Sequence, residues 1–223
     1  MDLQYKVYKT NRKTISLTLE RNNEVVIKAP YHATDDKIEE FFLRKQEWLY
    51  TKLEEKNKFV DYPNKRELQN GRWFYYMGRM YKLEIVENVD FKLRFYKNKF
   101  ELNKEYIENW HDIFIEWYKE RFNQKILPRV KLFSKKYNLS PEKISVKDIN
   151  NRWGNCSKEN KLSFHWKIML APIAVIDYII IHELCHIKYK NHSPLYWTML
   201  SSLMPEYEEH KDWLKRYGVE LDV

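Results

Sequence analysis

The sequence predicts an α+β protein, with a β-rich N-terminal part and a helical C-terminal part. Two of the observations behind this are periods. Apolar residues alternate every second position through much of the first third, and from Lys104 onward they recur every three to four positions. The third is composition: in 223 residues, 43% are hydrophobic and 16% aromatic. Such a chain can bury a sizeable core without disulfides, and its rings supply large contact areas for mixed packing. The change of period places a boundary near residue 103. It separates a β-rich region 1–103, which includes one long helix, from a region 104–223.

The elements follow in order. Ile15, Leu17 and Leu19 line one face of KTISLTLE, and EVVIKAP follows after Asn22-Asn23, so the two read as a hairpin that Pro30 ends. Thr34 or Asp35 caps a helix over 36–56, with Ile38, Phe41, Phe42, Lys45, Trp48, Leu49 and Leu53 at helical spacing. Strands are expected in RWFYYMG, RMYKLEIV, FKLRFY and KFELN, with turns at Gly78 and Lys97-Asn98. A long amphipathic helix then begins at Lys104, is interrupted or ended near Pro128, and breaks at Leu139-Ser140-Pro141. ISVKDI and LSFHW read as short strands around a loop, RWGNCSKENK, and the final third is helical.

Composition excludes several functions. No apolar run approaches the roughly 20 residues of a membrane helix, and the first residues lack the apolar stretch of a signal peptide, so a cytoplasmic protein is expected. Cys156 and Cys185 read as reduced, buried thiols and cannot form a CxxC knuckle. The four scattered glycines spell neither GxGxxG nor a P-loop. A net charge of +8 favours acidic partners, whether nucleic acid, nucleotides or anionic peptides, and makes a weak nucleic-acid association conceivable. The same balance also fits a solvated lysine-rich surface, because no dense basic run stands out.

The chemistry gathers in His182-Glu183-Leu184-Cys185-His186, an HExxH sequence. Residues four apart share a helix face, so both imidazoles can reach one ion, and Glu183 lies near enough to bond a metal-bound water. Pro172 suits the first turn of that helix, and Ile173, Ile176, Ile180, Leu184 and Ile187 give it an apolar stripe. A catalytic zinc needs a third protein ligand and an open position. His192 is one candidate, on a turn before Ser193-Pro194, which cap and start a new helix. Glu206 is the other, twenty residues beyond His186, although after Pro205 it also suits a helix start. His32, His111 and His210 stand isolated. Arg152 suits either an anionic substrate group and a developing oxyanion, or a structural tie to a carboxylate such as Asp177.

RWGNCS from Arg152, Trp166, Ala171-Pro172, Ile176-Asp177-Tyr178 and HELCHIKYKNHSPLYW together resemble the YgjP-like metallopeptidase family. RKTISL, VVIKAP, the helix of Trp48 and YMGRMYKL extend the resemblance over nearly the whole chain. It implies a zincin-like catalytic half, with Zn2+ on His182, His186 and His192 and Glu183 as base, and it makes SprT-like and minigluzincin peptidases distant relatives. The chain departs from the family's usual serine at Asn155, alanine at Cys185 and asparagine at His165. Cys185 therefore reads as a fourth sulfur ligand or a small buried residue, and His165 as a site residue or a plain strand histidine. Three functions stay open: a metallopeptidase acting on peptides or proteins, a metal-dependent hydrolase of nucleotides or another non-peptide substrate, and a nucleic-acid-binding module with a structural zinc.

Overall fold

The computed structural model describes residues 4–19, 24–57, 68–149 and 152–223, with side chains of 51–57 left aside. It is an α+β fold in two compact units, Met1–Tyr62 and Pro63–Val223. No helix among the described residues is long and apolar enough to cross a membrane.

In the first unit, β1 (Tyr5–Thr10), β2 (Ser16–Leu19) and β3 (Val25–Pro30) form one sheet in the order β1-β3-β2. The expected hairpin is the antiparallel pair β2–β3, with Leu17 opposite Ile27; its turn, Asn22-Asn23, lies outside the described residues. Strand β1 pairs parallel with β3. Helix α1 (Asp35–Asn57) completes the unit, and Ile38, Phe42 and Leu49 enter a core with Val25, Ile27 and Ala29. Trp48 departs from the expected stripe and is 45% exposed, because it sits at the edge of the buried arc; Lys45 is exposed too. Leu53 lies among the side chains not described.

The second unit starts with β4 (Trp73–Tyr76), β5 (Arg79–Val86), β6 (Leu93–Tyr96) and β7 (Lys99–Asn103) in the order β4-β5-β7-β6. The expected turns are present: Gly78, Lys97 and Asn98 all have positive φ. A 3-10 turn, Lys104–Asn109, leads into α2 (Trp110–Arg121), a π-turn (Phe122–Ile126) and α3 (Leu127–Tyr137). Pro128 thus falls at the start of α3, where a missing N–H costs nothing, and the irregular turn precedes it. Asn138, left-handed, ends α3.

The compact units divide at Tyr62–Pro63 rather than near residue 103. The reason is packing: Phe74, Tyr76, Leu83, Phe100 and Leu102 of the sheet share a core with Phe114, Trp117 and Tyr118 of α2. Phe74 stacks on Phe114 at 4.2 Å between centroids.

A second sheet, β8 (Lys143–Lys147), β9 (Gly154–Cys156) and β10 (Lys161–His165), has the order β8-β10-β9. Strand β9 corrects the expected loop: Gly154 to Cys156 pair antiparallel with β10, and only Ser157 to Asn160 turn. After a 3-10 turn (Trp166–Leu170) come α4 (Ile173–Lys188), α5 (Pro194–Leu203) and α6 (Tyr207–Tyr217). Ile176, Ile180 and Leu184 of α4 are fully buried, whereas Ile173 at its first position is exposed. Asp177 on α4 accepts a two-pronged ion pair from Arg129 on α3, joining the two helices.

Candidate metal centre and active site

Helix α4 carries His182 and His186 one turn apart, and its start is fixed from outside. Gly78 in the β4–β5 turn donates its N–H to Leu170 O, and Met77 donates to Met169 O. A side chain at Gly78 would meet the Pro172 Cα at 2.7 Å, so only glycine lets that turn seat against the head of α4. Pro172 is the N-cap, its carbonyl accepting from Ile176 N.

Helix α4 ends at Tyr189, and Ser193-Pro194 start α5, so the intervening turn brings His192 back over α4. The His192 and His182 Nε2 atoms lie 3.2 Å apart. One ring nitrogen from each of His182, His186 and His192 lies within 4.8 Å of the others. An ion bound tetrahedrally at about 2.0–2.1 Å sets its nitrogens about 3.3 Å apart, so this spacing fits a shared metal. The second ring nitrogens are also engaged. His186 Nδ1 faces Tyr189 O at 2.9 Å, and His182 Nδ1 faces the Tyr178 hydroxyl at 3.5 Å. The carbonyl at His186 Nδ1 accepts only, which favours the tautomer that leaves its Nε2 free to ligate.

Electrostatics favour the same chemistry. Burial, aided by His186, His192 and Lys211, pushes the His182 pKa down to about 3. Burial also lowers His186 and His192. All three imidazoles are therefore neutral, the ligating form, at neutral pH. Aromatic rings hold them in place: His186 stacks on Tyr196 at 4.6 Å and His192 on Trp197 at 5.3 Å. The Tyr196 hydroxyl donates to His182 O, anchoring α5 to α4.

Glu183 is buried, 6% exposed, with its pKa raised by that burial to about 8 against the opposing charge of Arg152. Strand β9 lies directly on it. A Cβ at Gly154 would come within 2.7 Å of Glu183 Oε1. The side chain is thus wedged between α4 and a bare stretch of backbone, which fixes where its oxygens lie.

The other sequence candidates take different places. Arg152 donates to Asn155 Oδ1 and does not tie Asp177, whose partner is Arg129. Glu206 is exposed at the N-cap of α6 and has no part in the histidine group. Cys185 is fully buried in the core, its thiol pushed up to about 12 by burial, and Cys156 is half-buried; both are free thiols. His165 is fully buried, accepts from Lys167 N and pairs with Asp148, so it caps the turn before α4. His210, isolated in sequence, comes to Tyr178 at 6.5 Å between centroids. Tyr178, Tyr196, Trp197 and Gly154 stood in the sequence only within the motifs that carry the resemblance, with no role of their own.

The sequence model of one protein family, described as YgjP-like, metallopeptidase domain, matches residues 13–217. No curated protein matches the chain.

Proposed function

This chain belongs to the YgjP-like metallopeptidase family, a family of metal-dependent hydrolases, and on that premise we propose that it is a zinc-dependent peptidase. His182, His186 and His192 hold the ion, Glu183 is the general base, and region 104–223 carries the chemistry. The observation that supports this most is the juxtaposition of three neutral imidazoles with a buried carboxylate one residue from the first of them. Three nitrogen donors suit Zn2+ and leave one position open. When bound, the ion supplies Lewis acidity and lowers the pKa of a water towards about 7.

The residues do the remaining work. Glu183 takes the proton of the attacking water and delivers it to the leaving amine. Burial favours the protonated carboxyl and so helps it hold that proton until the amine takes it, while a bound cation would oppose the shift and leave the carboxylate free to act as base. The backbone of Gly154 confines the carboxylate to one side of α4. Arg152, whose charge reaches Glu183, stands ready to stabilise negative charge developing on the substrate. A nucleotide phosphoanhydride is the second substrate class, supported by the same arginine. A structural ion is less well supported, since among the described residues the metal-binding group holds His182, His186 and His192 and no thiol to close the fourth position.

The test combines metal analysis with Glu183→Gln. The purified protein should take up about one zinc per chain, as a single three-ligand site implies. In Glu183→Gln the zinc should stay while turnover of peptides falls by roughly two to four orders of magnitude. Loss of zinc in that variant would make Glu183 a ligand. Hydrolysis of nucleoside triphosphates with no action on peptides would shift the substrate class.

A further inference from the structure

We propose that Lys211 on α6 forms a subsite for an anionic group beside the scissile bond, so that the enzyme selects acidic peptides. This rests on the peptidase reading above. The geometry begins at the metal group. His192 stacks on Trp197 with 5.3 Å between centroids, and Lys211 Nζ lies 5.0 Å from the other centroid, that of Trp197. Trp197 also stacks on Tyr207 at 5.6 Å, so α5 and α6 together fix this wall. Lys211 therefore stands one indole away from a candidate ligand, on a helix surface whose backbone is set.

Lys211 is one of three cations around the centre, each from a different element. Arg152 enters from the start of β9, and Lys190 from the turn between α4 and α5. Among the described residues none of the three makes an ion pair with a carboxylate. Lys190 is spent on neutral acceptors, Ser157 O at 2.8 Å and Asn160 Oδ1, which tie the turn to the end of β9. Arg152 bonds Asn155. Lys211 has only the ring face, which leaves its ammonium available to a ligand.

A carboxylate is the group this arrangement recognises. An ammonium on a flexible stem is a point charge that takes any anion, and in a peptide substrate the anions are carboxylates. The carboxylate has two sources in a peptide, an acidic side chain or the C-terminus.

The test uses three peptides of one core sequence: an amidated peptide with Glu beside the scissile bond, its Gln counterpart, and the Gln peptide with a free C-terminal carboxylate. Each is measured for kcat/KM on the zinc-loaded protein, and for Kd by fluorescence anisotropy on zinc-loaded Glu183→Gln. The Glu peptide should lead the Gln peptide by about two- to fivefold at low salt, the scale of an exposed ion pair, and the lead should shrink as salt rises. Lys211→Met, which keeps the apolar stem over Trp197, should erase the preference, and Lys211→Glu should reverse it. If the free carboxylate rather than Glu gives the lead, the subsite reads chain ends. Equal handling of all three peptides, or a preference that survives Lys211→Met, would overturn the proposal. Tight binding of the acidic peptide, sensitive to Lys211 but without cleavage of any peptide, would keep the subsite and remove the peptidase reading instead.

Discussion

Adding one methyl group at Gly154 probes how closely Glu183, the proposed base, is held. In Gly154→Ala the new Cβ would lie 2.6 Å from Glu183 Cγ, 2.7 Å from Oε1 and 2.8 Å from Cδ. Unstrained carbon contacts sit at about 3.5–4.0 Å, so one partner must retreat by about 1 Å. Gly154 has little freedom, being paired with Phe164 of β10, which is itself fully buried. Helix α4 is equally fixed by its core residues, so the Glu183 side chain is what moves. Overpacking of this kind costs about 1–3 kcal/mol, and displacing a reacting group by about 1 Å costs on the order of 100-fold in rate. The backbone at Gly154 is not left-handed, so the effect is one of contact alone. The measurements are urea unfolding, zinc content and kcat/KM for a peptide. Stability should fall by that amount and kcat/KM by about two orders of magnitude, with zinc content unchanged, because the atoms the new methyl meets belong to Glu183 and not to a histidine. A variant that keeps its stability and its kcat/KM would refute the claim that this backbone positions Glu183.

Replacing His192 by Ala should weaken zinc binding severely while Glu206→Ala leaves it unaltered, as measured by competition with a chromogenic chelator; the opposite ranking would reassign the third ligand. The metal-free protein should be most stable in a window set by two opposed groups. Glu183, raised from 4.5 to about 8, holds a proton that the unfolded chain has lost, so its contribution falls as pH rises through that interval. His182, lowered from 6.5 to about 3, contributes stability that is lost as pH falls below 6.5. Burial also lowers His186 and His192, which adds to the His182 side below 6.5, so denaturant midpoints should peak near pH 6.5 and drop on both sides. A steady rise from pH 5 to 8 would contradict this. Arg129→Met should strand the Asp177 carboxylate, 8% exposed, and lower stability by about 1–3 kcal/mol, measurable by thermal unfolding. An unchanged midpoint would show that the pair is not needed.

Local chemistry made much of this molecule legible in the sequence. The HExxH helix, the return of His192 before Ser193-Pro194, and the turns at Gly78 and Lys97-Asn98 follow from spacing and from residues with few backbone options. Strand β9 escaped, because three residues, Gly154 to Cys156, carry no period to read. Its importance lies in a contact across the fold, Gly154 on Glu183, that no local pattern encodes. The parallel pairings of β1 with β3 and β5 with β7 escaped for the same reason, since partners distant in sequence leave no mark on either strand. Lys211 was one lysine among many until α6 laid it on Trp197. The tie to a carboxylate such as Asp177, one of two readings of Arg152, falls instead to Arg129, a choice that only tertiary packing makes.

The docking of Gly78 on Pro172 bears on modularity. The helix that carries the histidines owes its starting point to a turn almost a hundred residues earlier, and its neighbour α2 owes its covered face to the sheet containing that turn. A fragment beginning at residue 104 would keep every proposed ligand and still leave Phe114, Trp117 and Tyr118 uncovered, a recipe for aggregation. Recombination between relatives would have to pass the β4–β7 sheet and the histidine helix on together.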